Sequence, residues 1–269
     1  MFYLSGNDFP QSAQELESSL LRSLRTLFTF PSGESRPVRV EDRDYPEVDR
    51  IRVDLSGTAT DARQPPPKPA GVGQRRPGVH ASQLEIFGHP IRIRGAGMHL
   101  DLSAGDVSFD YDRDHEGHPL LVLAAAEAGR VAIEISRGDL EALLLAEAKT
   151  AAAKQGVAVE NAALDLVPIN QRSVAIAARV TAKKLIARAT VEVKGQLAVD
   201  DELNATLSAL SCAGEGIVGG LAGNLIRPYL ERFNNTKLPL AAVSLGTIHL
   251  HDLRIGAGDS LKVQATFGR

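Results

Sequence analysis

Between Val157 and Leu210 apolar and polar positions alternate along the chain. Val174, Ile176, Ala178 and Val180 interleave with Ser173, Ala175, Ala177, Arg179 and Thr181. Leu185, Ala187, Ala189, Val191, Val193, Leu197 and Val199 interleave with Arg188, Thr190, Glu192, Lys194 and Gln196. A period of two predicts strands with one buried face and one wet face. The second run is about 15 residues, roughly 50 Å at ~3.3 Å per residue, against a usual strand of about five or six. Such strands must twist and coil, and their inner face needs a cover of similar length. Val157 and Val159 share one parity while Ala162, Leu164 and Leu166 take the other, which predicts a bulge near Asn161.

Helical spacing appears on either side of this run. Asp139 to Gln155 places Leu140, Leu143, Leu144 and Ala148 on one face, with Ser136 and Asp139 as a capping-box-like start. Ile217 to Phe233 predicts a second helix, made slim by Gly219, Gly220 and Gly223. Near the N-terminus, Pro10 to Phe28 carries Leu16, Leu20, Leu24, Leu27 and Phe28 on one stripe, with Asp8 as the expected cap and Pro10 in the first turn.

Short strands are predicted at Val38–Glu41 and Val48–Ser56, then at 84–87, 91–94, 98–102, 107–111, 120–125 and 131–135, with Gly and Asp turns as in an antiparallel meander. Val243–His249, His251–Ile255 and Leu261–Phe267 close the chain. Residues 58–79, with Gln64-Pro65-Pro66-Pro67-Lys68-Pro69, read as a mobile loop. The pattern therefore predicts one β-rich α+β domain over 1–269. It has two helix-plus-meander halves, 1–135 and 136–269, and long, strongly coiled antiparallel sheets on two or three amphipathic helices.

Composition sharpens this only in places. The 43% hydrophobic content supplies a core, and with no Trp and 4% aromatic residues that core is aliphatic. A net charge of −3 exerts no global pull on nucleic acid. One cysteine, Cys212, fits a reducing compartment. Met1 to Phe30 lacks a basic region followed by an apolar core, and no apolar run approaches the ~18 residues of a membrane span, so a cytoplasmic or peripherally membrane-associated protein is expected.

The candidate chemistry is thin. Gly214, Gly216 and Gly219 spell G-x-G-x-x-G, but the fingerprint belongs at the first turn of a βαβ array, which is not what precedes it here. Asp110, Asp112, Asp114, His115, Glu116 and His118 crowd one turn. A Ca²⁺ loop there would have His115 and Leu121 where Gly and Glu belong, so a solvated hairpin tip is expected and no metal. His249 and His251 share a strand face without a third ligand, and Ser136 and Ser211 lie in no nucleophile elbow. No catalytic residue and no cofactor is expected. The stretch from Arg172 to Lys194 has a net charge of +5, and that from Asp101 to Glu116 a net charge of −5.

Tyr45-Pro46-Glu47-Val48 before the Ile51/Val53/Leu55 strand, Val131 to Leu145 (VAIEISRGDLEALLL), and Lys237-Leu238-Pro239-Leu240 before the closing strands together resemble the bacterial LmeA-like family of phospholipid-binding proteins. The resemblance implies a tubular lipid-binding type of fold, in which a coiled antiparallel sheet wraps a long helix and leaves an apolar groove for acyl chains. It supplies no catalytic residues.

The expected function is thus non-catalytic lipid binding. The groove candidates are Leu144, Leu164, Leu166, Val174, Ile176, Ala178, Val180, Ala189, Val191, Val193, Leu207, Leu221 and Leu225. Arg179, Lys183, Lys184, Arg188 and Lys194 form a basic face for head groups or transient membrane contact. The alternatives are a scaffold whose helix fills the sheet, and a nucleotide-binding enzyme using the Gly214–Gly219 turn.

Overall fold

The computed structural model describes residues 2–33, 36–60, 71–153, 157–184, 187–200, 202–214, 230–231, 234–239 and 250–269. They form an α+β chain, mostly sheet, with two long helices among the described residues. The chain divides into two compact units. The first is Met1–Ile133 with Val243–Asp252 and Gln264–Arg269; the second is Glu134–Ala242 with Leu253–Val263. A division at 135/136 would leave both C-terminal stretches of the first unit to the second half.

The first unit opens with β1 (Phe2–Tyr3), α1 (Ala13–Leu27), β2 (Val38–Asp44) and β3 (Glu47–Asp54). It goes on with β4 (Ala59–Thr60), β5 (Arg76–Ile93), β6 (Ala96–Arg113), β7 (Pro119–Ala125) and most of β8 (Ala128–Ser136). Helix α1 starts later than the Asp8 cap predicts. Ser12 is the N-cap, its hydroxyl accepting the Glu15 amide at 3.2 Å, while the Glu15 carboxylate accepts the Gln11 amide at 2.8 Å. This reciprocal pairing satisfies two otherwise orphaned donors, which Asp8 is too far upstream to do. Leu16, Leu20 and Leu24 are buried on the stripe the sequence predicts.

Two of the expected strand pairs are single strands of 18 residues. Gly88 does not break β5, because the register with β6 slips between Gly88 and Ile91 and the strand continues through the irregularity. A Cβ on Gly88 would come within 2.3 Å of Ile91 Cγ1, so that close approach requires glycine. In β6, Asp106 takes a left-handed φ of +43° in mid-strand, a conformation aspartate tolerates better than most residues.

The meander is not wholly antiparallel. β3 and β4 both pair with β5 in parallel, through Ile51↔Leu84, Val53↔Ile86 and Ala59↔Arg92. Parallel neighbours need a crossover of roughly a dozen residues or more, and the connection over residues 55–75 supplies one. The expected mobile loop is therefore too broad at its ends. Thr58 is fully buried, Ala59–Thr60 is a strand, Gly71 bridges to Asp114, and Val79 lies buried in β5. Residues 61–70 lie outside the described residues.

A tyrosine pair fixes the approach to α1. The Tyr45 hydroxyl donates to the Pro10 carbonyl at 3.0 Å and meets the Tyr111 hydroxyl at 2.5 Å. Phe9 stacks on Tyr111 with ring centroids 4.6 Å apart, and the Arg76 and Arg113 guanidiniums lie over the Phe9 ring at 4.3 and 4.8 Å. Burial, and for Tyr45 also the Tyr111 hydroxyl beside it, pushes both phenols above the usual value of 10.0. The folded chain thus holds these protons more tightly than the unfolded one. The stability involved is complete below about pH 10, the ordinary tyrosine value, and is lost as pH rises from there. Urea titrations should give a constant unfolding free energy from pH 8 to 9.5 and a decline above pH 10. The Tyr45→Phe/Tyr111→Phe double variant should flatten that decline; an unchanged alkaline slope in the variant would contradict it.

The second unit holds α2 (Arg137–Ala153) and a five-stranded antiparallel sheet in the order β13-β12-β11-β10-β9. Its strands are β9 (Ala158–Asn170), β10 (Ser173–Lys184), β11 (Ala187–Val199), β12 (Asn204–Gly214) and β13 (Thr236–Pro239). The closing hairpin strands are β14 (Leu250–Gly256) and β15 (Ser260–Gly268). The Ser136 hydroxyl accepts the Asp139 amide at 3.0 Å, as the capping-box reading expects. The parity switch in β9 is a bulge: Thr181 pairs with Asn161 but Ala182 with Val159, so Glu160 has no opposite. The helix expected at 217–233 falls almost entirely outside the described residues.

Candidate functional site

In the first unit, period-two alternation on three neighbouring strands sends one set of side chains beneath α1. Ile51, Val53 and Leu55 of β3 and its end, Leu84 and Ile86 of β5, and Leu100 and Leu102 of β6 all line the same space. The register aligns them into rows across the sheet: Val53, Ile86 and Leu102 in one, Ile51, Leu84 and Ala104 in the next. Phe109 and Leu121 close the floor, and Leu20, Leu24 and Leu27 of α1 form the roof. A cavity of about 380 Å³ remains between them. It lies within the roughly 300–1,000 Å³ typical of small-molecule sites.

The cavity is graded in polarity. Leu24, Val53, Leu84, Phe109 and Leu121 at its depth are buried, whereas Tyr3 (41% exposed) and Leu27 (43%) stand at the rim. The polar residues in its lining are Tyr3, Ser23 and Thr26, and the Thr26 hydroxyl donates to the Ser23 carbonyl at 2.7 Å. The charged residues that alternate with the lining positions, Arg50, Arg52, Glu85 and Asp101, fall on the opposite face. The Arg50 and Arg52 guanidiniums reach Glu85 at 3.9 and 4.0 Å, and His89 meets Asp101 at 3.0 Å.

The residues expected to line a groove lie elsewhere, in the second unit, and most of them do share one face. Across β9, β10 and β11 the register aligns Leu166 with Ile176, Leu164 with Ala178 and Val193, and Val180 with Val191. Val174 is opposite Leu197, which is opposite Leu207, and Ala189 is opposite Ala182. Cys212 joins this face opposite Val193. Val174 and Leu166 are buried; Leu164, Ile176, Ala178, Val180, Ala189, Val191, Val193 and Leu207 are half-buried, as is Leu144 on α2. Helix α2 lies along the edge strand β9, and the Glu141 carboxylate accepts the Leu164 amide at 2.8 Å. Leu221 and Leu225 lie outside the described residues.

The basic face is less basic than its sequence window. Arg179 pairs with Asp165 and approaches Glu192 at 4.0 Å, Arg188 pairs with Glu160 at 2.7 Å, and Lys194 pairs with Glu192 at 2.8 Å. The offsetting Glu160 and Asp165 come from β9, which a count over 172–194 misses. Lys183 is exposed on β10, and the Lys184 side chain is not among those described.

The acidic turn is not wholly solvated either. Asp112 is 2% exposed and accepts the amides of Arg113 at 2.8 Å and Gly73 at 3.2 Å, with Arg75 at 4.0 Å. It thereby fixes the chain after residue 70 against β6. Asp114, Glu116 and His118 bring donor atoms within 4.8 Å of one another. The oxygens of Asp114 already accept the amides of Glu116 and His118 and meet His118 Nδ1 at 3.1 Å. Partial desolvation raises the Asp114 pKa, but the His118 amide and ring and the Glu116 amide outweigh it and hold the carboxyl below its usual range. The arrangement is a hydrogen-bonded turn.

Gly214 is the last residue of β12, paired with Val191, while Gly216 and Gly219 lie outside the described residues. His251 Nε2 meets the Gly268 carbonyl at 2.9 Å, and His249 is not described. Among the described residues, no helix is long and apolar enough to cross a membrane. No family model, curated protein or solved structure matches the chain.

The α1 cavity escaped the sequence reading. Its signal was present: the Leu16–Phe28 stripe and three strands with matching inward aliphatics. Nothing in that pattern says that the rows stand too far from the helix to be filled.

Proposed function

We propose that the protein is a non-catalytic lipid-binding protein that takes an acyl chain into the cavity beneath α1. The observation that carries this reading is the cavity itself, an aliphatic space of about 380 Å³ with a hydroxyl-bearing rim. The resemblance to the LmeA-like family and the 18-residue strands β5 and β6 favour the same reading, and a tubular lipid-binding type of fold is its structural counterpart. Energetics favour reversible holding. About eight buried methylenes contribute roughly 6 kcal/mol gross, against an association cost of roughly 4 kcal/mol or more. Net affinity stays modest, which suits a carrier that must release its cargo.

The test is native mass spectrometry with organic extraction of the purified chain, together with titration of the neutral apolar dye N-phenylnaphthylamine. A co-purifying acyl lipid, or saturable dye fluorescence displaced by a medium-chain lipid, supports the proposal. A lipid-free protein that never enhances the dye supports the scaffold alternative. The half-buried β9–β12 face is the competing location for the chain. Ala178→Phe on that face should leave dye binding unchanged; its loss there would move the site to the second unit.

A further inference from the structure

We infer that the α1 cavity selects a single-chain amphiphile with a neutral, hydroxyl-type head, such as a medium-chain alcohol or monoacylglycerol, over the ionised fatty acid of the same length. This rests on the proposal that the cavity is an acyl site. Size argues for one chain, since about 380 Å³ is near the lower end of ligand-pocket volumes.

Charge argues for the head group. Among the described residues no Lys, Arg, Asp, Glu or His lines the cavity. The exclusion is built into the strands. Leu84 and Ile86 face the cavity, so Glu85 cannot; Leu100 and Leu102 face it, so Asp101 cannot; Ile51 and Val53 face it, so Arg50 and Arg52 cannot.

The helix behaves alike. At about 100° per residue, Arg25 lies about 140° around the helix from the lining Leu20. Arg22 turns instead to the Ser5 carbonyl, 3.3 Å from its guanidinium. A carboxylate drawn to the rim would shed part of its hydration and meet no cation, which is unfavourable. A hydroxyl both donates and accepts, and the polar residues of the lining, Tyr3, Ser23 and Thr26, carry neutral hydroxyls.

The experiment is displacement of N-phenylnaphthylamine from the full-length protein at pH 8 by four ten-carbon ligands: decanol, monodecanoylglycerol, decanoate and decyltrimethylammonium. The two neutral ligands should displace the dye at concentrations at least tenfold lower than either ion. Thr26→Arg, a substitution at an exposed rim position that adds a cation there, should lower the decanoate-to-decanol ratio of displacing concentrations at least tenfold. If all four ligands compete equally, or if Thr26→Arg leaves the decanoate-to-decanol ratio unchanged, the selectivity inference falls and the acyl site stands. If the dye binds but none of the four displaces it, or the dye does not bind at all, the acyl site falls with it.

Discussion

Replacing Leu102 with tryptophan should abolish saturable binding of N-phenylnaphthylamine while leaving the chain folded. Leu102 stands in the row Val53–Ile86–Leu102 beneath α1, half-buried and facing the cavity. An indole there occupies empty volume rather than displacing packed atoms. Overpacking a filled core costs roughly 1–3 kcal/mol, whereas filling a void should cost less or stabilise. A ligand that loses several methylene contacts at about 0.8 kcal/mol each weakens by a hundredfold or more. Leu100→Phe, at the next inward position of β6, serves as a second variant should the indole prove too large. Full dye binding in a folded Leu102→Trp protein would show that the dye sits elsewhere.

Leu16→Ala should be the most destabilising single truncation in the first unit. Leu16 is fully buried at the centre of the α1 stripe, between Ala13 and Leu20. Buried Leu→Ala changes cost about 2–5 kcal/mol, increasing with the cavity left behind. For a unit of about 150 residues, each 1 kcal/mol lowers the midpoint by roughly 2–4 °C. A loss of about 6–12 °C is therefore the expected central result in a thermal melt followed by circular dichroism. A change under 2 °C would mean that α1 does not depend on this contact. Leu27→Ala, at a residue 43% exposed, is the control and should move the midpoint little.

Much of the local structure was legible in the sequence because its causes are local. The α1 stripe, the Ser136–Asp139 cap and the alternation of β10 and β11 follow from periodicities of the chain itself. So does the bulge beside Asn161, because a one-residue change of parity can only be absorbed by an unpaired residue, here Glu160. The start of α1 was misread because Asp8 and Ser12 are both good caps, and only Ser12 is followed three residues later by a glutamate able to reach back.

By itself the sequence determined the buried stripe of α1 and which side chains of β10 and β11 share a face. Only the tertiary structure decided which strands become neighbours. A period of two does not record direction, so the parallel pairing of β3 with β5 was invisible, as was the continuity of β5 through Gly88. Nor does it record partners across the chain, so the basic stretch 172–194 read as uncompensated until β9 brought Glu160 and Asp165 to it. The site itself belongs to this second kind. Inward aliphatics are the same letters whether they fill a core or line a void. The volume beneath α1 depends on how far the helix stands from the rows Ile51–Leu84 and Val53–Ile86, a distance set by packing between segments remote in sequence.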